Sequence, residues 1–261
     1  RSSQYYDDSD PARSFIENAF RETMVDMSDM YVFNESPEEN NGIRVTRRAG
    51  CTPQFSGDCL DLNFSQFDAE VNREIARTGP ETISFTVGLM PQALSSRPND
   101  PGFPYYAPAD YNEWQDVVRR AVEHIKTGWG GRFAGASYLS LTEPDSDTYW
   151  LGTIDEFVSV YVHTWRGVKA ADPNAKVGAP MTMTGNAPDM TNFITKLGVH
   201  NRNPAPADRV TLDEIVWQDY NWNQDEKLSP EVDFIRNLLP EHGFSANTPS
   251  VLIGWNNWGN G

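Results

Sequence analysis

The stretch YLSLTEPDSDTYW, residues 138–150, places a carboxylate, Glu143, between Thr142 and Pro144 straight after an apolar run. A carboxyl at the end of a buried strand keeps its proton to higher pH, because desolvation disfavours the charged form, and so can serve as a general acid. The plain alternative is a loop carboxylate bonded to backbone amides. Acid–base work needs a partner, and LDEIVWQDYNW offers one in Asp219, flanked by Gln218 and Tyr220. Trp255 and Asn256 follow in PSVLIGWNNW, and Tyr138 and Trp150 flank the acid itself. Carboxylates, amides and indoles converging in one mouth suit a carbohydrate cleft, since indoles stack on the apolar faces of sugar rings. Core packing is the competing role for each Trp, because strand alternation turns about half of such residues inward.

These residues gain meaning from the elements that must hold them. Strand patterns at 25–33, 81–90, 133–141, 175–181, 212–222 and 249–258 alternate with helical patterns at 11–24, 63–79, 110–130, 153–172, 190–201 and 229–244. Thr153 is a ready N-cap for one of them. Sustained alternation predicts a parallel sheet with helical crossovers, either a (β/α)8 barrel or a doubly wound open sheet. No GxGxxG or Walker loop follows a strand, which disfavours the nucleotide-binding open sheet. In a barrel the working residues lie at the C-terminal strand ends. That rule selects Asp26, Ser28 and Asp29, then Met90, then Glu143 and Asp145, then Gln218, Asp219 and Tyr220, then Trp255 and Asn256. A loop rich in Pro and aromatics, residues 94–110, is long enough to be functional, and Tyr105 and Tyr106 are its candidates for a site rim. The whole chain, 1–261, reads as one domain with a polar insertion at about 34–61.

The formal charge of −16 argues against nucleic acid or an anionic membrane as partner, since both need clustered Lys and Arg. No apolar run reaches the ~18 residues of a membrane span. Cys51 and Cys59 bracket a turn-rich CTPQFSGDC and read as a short-loop disulfide of an oxidising compartment, against two unpaired thiols. This places the protein outside the cell or on its surface, as a mature or trimmed chain beginning at Arg1. His124, His163, His200 and His242 show no HExxH or HxH spacing, so neither a metal nor any other cofactor is expected. No G-x-S-x-G elbow occurs, which disfavours an α/β-hydrolase.

In order along the chain, the motifs resemble the clan A glycoside hydrolases, most closely family 39, the β-xylosidase and α-L-iduronidase type. SFTVGLMPQAL resembles that family's third strand, with its Gly-x-Met-Pro. YLSLTEPDSDTYWLGTIDEFVSVYVHTWRGVKAADPNAKVGAP resembles its fourth strand, following helix and fifth strand, and is the most specific block. LDEIVWQDYNW resembles the sixth strand and PSVLIGWNN the seventh. The resemblance spans about residues 11–258. It implies a (β/α)8 barrel, a carbohydrate substrate and a pair of carboxyls, with Glu143 as acid/base.

Four positions depart from the family pattern. Thr142 stands where Asn usually precedes the acid, Gln218 on the sixth-strand His, and Ser28 near the second-strand His. Gly254 occupies the position of the nucleophile, and a glycine can neither attack nor stabilise positive charge. Three readings follow: an engineered loss of the nucleophile, a second carboxylate moved to Asp219, Asp26 or Asp29, or a catalytically inactive glycan-binding or assembly protein on a glycosidase barrel. The leading expectation is hydrolysis of an O-glycosidic bond of an oligo- or polysaccharide. Glu143 and Asp219 are the carboxyls, and Thr142, Gln218, Tyr220, Trp255, Asn256 and Trp150 position the sugar. No strand pattern precedes the first helix or follows the last strand. Either the barrel lacks its first and last strands in this chain, or another segment or chain completes it, since open sheet edges invite association.

Overall fold

A computed structural model describes residues 28–33, 42–51, 59–78, 83–140, 143–182, 188–202, 209–219 and 228–255. Strands β1 (Ser28–Tyr31), β4 (Ile83–Val87), β5 (Ser137–Ser140), β6 (Lys176–Thr182), β7 (Glu214–Asp219) and β8 (Ser250–Trp255) form one sheet in the order β1-β4-β5-β6-β7-β8. Every neighbouring pair in it is parallel. Helices α1 (Ser65–Thr78), α2 (Tyr111–Thr127), α3 (Ile154–Ala171), α4 (Pro188–Arg202) and α5 (Leu228–Glu241) are the crossovers. The predicted alternation therefore stands for these elements. The predicted helix at 11–24 and Asp26 lie outside the described residues.

Local chemistry fixes the helix ends. Asp110 accepts hydrogen bonds from Asn112 N (2.8 Å) and Glu113 N (3.2 Å), and so caps α2. Thr153 and Glu156 form a reciprocal capping box at the start of α3, as the sequence predicts for Thr153. The helix predicted at 110–130 stops at Thr127, because Trp129 and Gly130 take positive φ. Trp114, Val117, Val118, Ala121, Val122 and Ile125 form a buried stripe on α2. There α2 meets α3, where a Cβ on Gly167 would come within 2.6 Å of Gln115 O. Trp114 Nε1 donates to Thr164 Oγ1 across the same contact (2.9 Å).

The sheet has two unlike faces. Phe85, Tyr138 and Trp217 belong to the large core shared with the helices. Their strand neighbours Leu139 and Val216 form a separate small cluster with Val251 on the other face. Alternation along each strand produces this split.

Two findings revise the sequence reading of the N-terminal third. An antiparallel hairpin of β2 (Arg44–Arg47) and β3 (Leu60–Asn63) begins inside the insertion at 34–61 and runs past its end, with the Cys51–Cys59 disulfide at its turn end. The hairpin is pinned to α2 by a bidentate pair from Arg47 to the buried Glu113, at 2.7 and 2.6 Å. Secondly, Ser28 and Asp29 do not lie at a C-terminal strand end. They pair with Ile83 and Ser84 at the opposite end of the sheet, because β1 runs on to Tyr31, after which Val32 N still bonds Thr86 O (2.8 Å).

Candidate active site at the strand ends

Glu143 follows the C-terminal end of β5, which pairs with the end of β4, and the Gln218 side chain of β7 reaches it. Just beyond β5, Glu143 adopts φ 45°, and Leu89, just beyond β4, adopts φ 58°. Left-handed backbone at a non-glycine residue costs of order 1–3 kcal/mol and is retained where surrounding structure over-determines it. At Glu143 the determinant is visible. Ser146 N donates to Glu143 O (3.0 Å), and Tyr149 N and Trp150 N both donate to Ser146 O (3.0 Å each). Successive turns thus bind residues 143–150 into one unit, and the capping box of α3 anchors its far end.

The carboxyl of Glu143 is half-buried, and this burial is the largest influence raising its pKa above the ordinary value. The nearby negative charge of Asp145 adds to the rise, while a hydrogen bond from the Gln218 side chain opposes it. Gln218 is only 5% exposed, and its Oε1 has no hydrogen-bond partner among the described residues. With its amide N–H2 bonded to Glu143, that oxygen is a buried acceptor beside the acid, a costly arrangement unless a ligand or solvent donor completes it.

The rim comes from the loop after β4. Its backbone is tied internally by Ser95 Oγ to Phe103 O (3.0 Å) and by Ala109 N to Leu94 O (2.8 Å). Met90 N bonds Pro104 O (2.8 Å), so Met90 is buried rather than presented to a ligand. Leu151 N donates to Tyr105 O (2.8 Å), which clips this loop to the Glu143 segment. Tyr105 and Tyr149 then meet edge to face, with centroids 6.1 Å apart. Burial, with lesser contributions from Glu143 and Tyr105, raises the Tyr149 phenol. Tyr106 lies beneath the Arg97 guanidinium at 4.5 Å.

Of the residues predicted from sequence, the structure brings Glu143, Asp145 and Gln218 together, with Tyr105 alongside. Trp150 is packed inward: it is 5% exposed, its Nε1 donates to Thr153 O (3.2 Å), and its ring meets Phe157 edge-on. Its neighbour Tyr149, which the sequence reading passed over, carries the exposed ring at 37%. The clue lay in the adjacent Tyr-Trp pair, of which only one ring can face the core. Asp219 closes β7 opposite Trp255, and the register steps between Trp217 and Gln218 so that Gln218 stands opposite Gly254. The side chains of Asp219 and Trp255, and residues Thr142, Tyr220 and Asn256, lie outside the described part. Among the described residues no group of three or more His, Cys, Asp or Glu could hold a metal. Nor is any helix among them long and apolar enough to cross a membrane.

Comparison with known proteins places this arrangement. The profile of glycosyl hydrolases family 39 matches residues 60–247. A beta-xylosidase of Geobacillus stearothermophilus is 30% identical over 139 residues, covering 51% of this chain and 27% of that protein. A beta-xylosidase of Caldicellulosiruptor saccharolyticus is 28% identical over 120 residues, covering 43% and 24%. The chain thus spans about a quarter of the length of these curated relatives. Among solved structures, a monomeric beta-xylosidase of Caulobacter crescentus superposes with a TM-score of 0.63 at 16% identity, covering 82% of this chain and 43% of that one. A GH39 enzyme of Xanthomonas axonopodis pv. citri gives 0.61 at 17%, covering 82% and 42%. The fold is accordingly a (β/α)8 barrel, of which the six-stranded parallel sheet is a part.

Proposed function

The chain belongs to glycosyl hydrolases family 39, and from that premise we propose that it hydrolyses an O-glycosidic bond of an oligo- or polysaccharide, with Glu143 as the proton donor. The observation that carries this is the half-buried Glu143, held at a strand end with a raised pKa and a Gln218 hydrogen bond. The neutral carboxyl gives its proton to the glycosidic oxygen as the bond to the anomeric carbon breaks. A second carboxylate then supplies the new bond, directly at ~5 Å separation or through an activated water at ~6.5–9.5 Å. We assign that role to Asp219. Gln218 Oε1 accepts from a sugar hydroxyl, and Thr142, Tyr220, Trp255 and Asn256 complete the sugar site, with Trp150 supporting it from within. The names of the relatives make a β-linked pentoside the first substrate to try. The disulfide supports a secreted or cell-surface setting. Closure of the ring of strands by another segment or another chain belongs to the same proposal, and light scattering of the purified protein separates those two cases.

A second reading has its own support. Gly254 faces Gln218 across the β7–β8 register, at the place where the family resemblance puts the nucleophile. A barrel without that carboxylate, whether engineered or natural, binds a glycan without cleaving it. Turnover of a panel of 4-nitrophenyl glycosides and oligosaccharides decides. Loss of oligosaccharide cleavage in Glu143→Gln, with the activated 4-nitrophenyl glycosides less affected, supports the hydrolase. Binding without turnover, indifferent to Glu143→Gln but converted to turnover by Gly254→Glu or added azide, supports the binder.

A further inference from the structure

We infer that Tyr149 and Tyr105 form an aromatic platform for the leaving group, so that the substrate is one in which a second, uncharged sugar ring occupies that side of the scissile bond. The inference rests on Glu143 being the proton donor. A general acid stands at the leaving-group oxygen, and what flanks it away from the glycon side flanks the departing group. Gln218, on β7, holds one side of Glu143. Asp145 and Tyr149, both of its own loop, also lie near the acid, and the turn through Ser146 ties Tyr149 to the Glu143 backbone.

Three features make this a built surface rather than a chance exposed ring. The Leu151 N to Tyr105 O bond (2.8 Å) joins the two loops. The edge-to-face contact at 6.1 Å and 89° orients the Tyr149 ring against Tyr105. Gly102 lies so close to Leu151 that a Cβ there would approach Leu151 Cδ1 to 2.9 Å, so the two loops are packed against each other. Ordered phenol rings next to an acid favour the apolar face of a sugar, which gives contact area with little loss of conformational freedom.

The test compares two substrates of one glycon: the glycosyl fluoride, whose leaving group has no ring, and the β-linked disaccharide. In Tyr149→Ala the ratio of kcat/KM for disaccharide over fluoride falls about tenfold, and Tyr149→Phe recovers it, since the ring rather than the hydroxyl makes the contact. Tyr105→Ala lowers the ratio in the same direction. An unchanged ratio in Tyr149→Ala, or a Tyr149→Phe variant as poor as Tyr149→Ala, overturns the platform while leaving hydrolysis intact. If the wild-type chain cleaves neither substrate, the hydrolase reading fails on its own. Calorimetric titration with the disaccharide then decides the platform, with about tenfold weaker binding in Tyr149→Ala supporting it and equal binding refuting it.

Discussion

Replacing Arg47 by Met tests how the disulfide-bearing hairpin is held to the barrel and, through Ala93, to the loop that forms the rim. The guanidinium makes two bonds to Glu113, at 2.7 and 2.6 Å, and a third to Ala93 O at 3.1 Å. The Glu113 side chain is 2% exposed and that of Arg47 15%. Deleting one partner of such a pair leaves a charge without compensation in a dry environment, which costs about 3–5 kcal/mol. Partial exposure of Arg47 puts the expectation near the lower end, about 3 kcal/mol. For a domain of this size that corresponds to roughly 6–12 °C in Tm. Urea unfolding followed by tryptophan fluorescence provides the free energy, with an unchanged slope showing that the unfolded state is not the cause. The reciprocal double variant Arg47→Met/Glu113→Leu removes both charges and is expected to return to within about 1 kcal/mol of the parent. A loss under about 1 kcal/mol in Arg47→Met, or a double variant no better than the single one, refutes the reasoning.

Other consequences are local and signed. The acid must be protonated to act, so turnover falls as pH rises through the Glu143 pKa. Asp145→Asn removes a charge that raises this pKa and shifts the alkaline limb to lower pH, whereas Gln218→Leu removes a donor to the ionised form and shifts it to higher pH. Two shifts in the same direction in the pH–rate profiles would contradict the assignment. Gly167→Ala pushes a methyl to within 2.6 Å of Gln115 O and is expected to cost about 1–3 kcal/mol as α2 and α3 are forced apart, read by thermal unfolding. Thr153→Ala opens the capping box of α3 and costs about 1 kcal/mol in the same assay.

Much of this was legible in the sequence because it is encoded locally. Strand and helix periods alternate plainly, Thr153 precedes an acidic first turn, and YLSL runs straight into Glu143. What escaped depends on distance or on short elements. RVTR and LDLN are four-residue strands whose exposed positions, Arg44, Thr46, Asp61 and Asn63, are all polar, so the hairpin hides in a segment that reads as polar insertion. Arg47 and Glu113 are 66 residues apart, and neither is distinctive alone. Ser28 and Asp29 open β1 rather than close it, because Met30 and Tyr31 continue the strand beyond them. Tyr149 and Trp150 are adjacent, and only the packing of Phe157 and the bond to Thr153 O decides which ring turns inward.

The central claim is that Glu143 donates a proton to a departing oxygen, and a leaving-group series tests it most directly. Hydrolysis of aryl glycosides spanning phenols of high and low pKa is measured with the parent and with Glu143→Gln. The account predicts a loss of about 10²–10⁴-fold for poorly activated phenols that shrinks steadily as the leaving group needs less protonation. A loss of the same size across the whole series, or none anywhere, contradicts it.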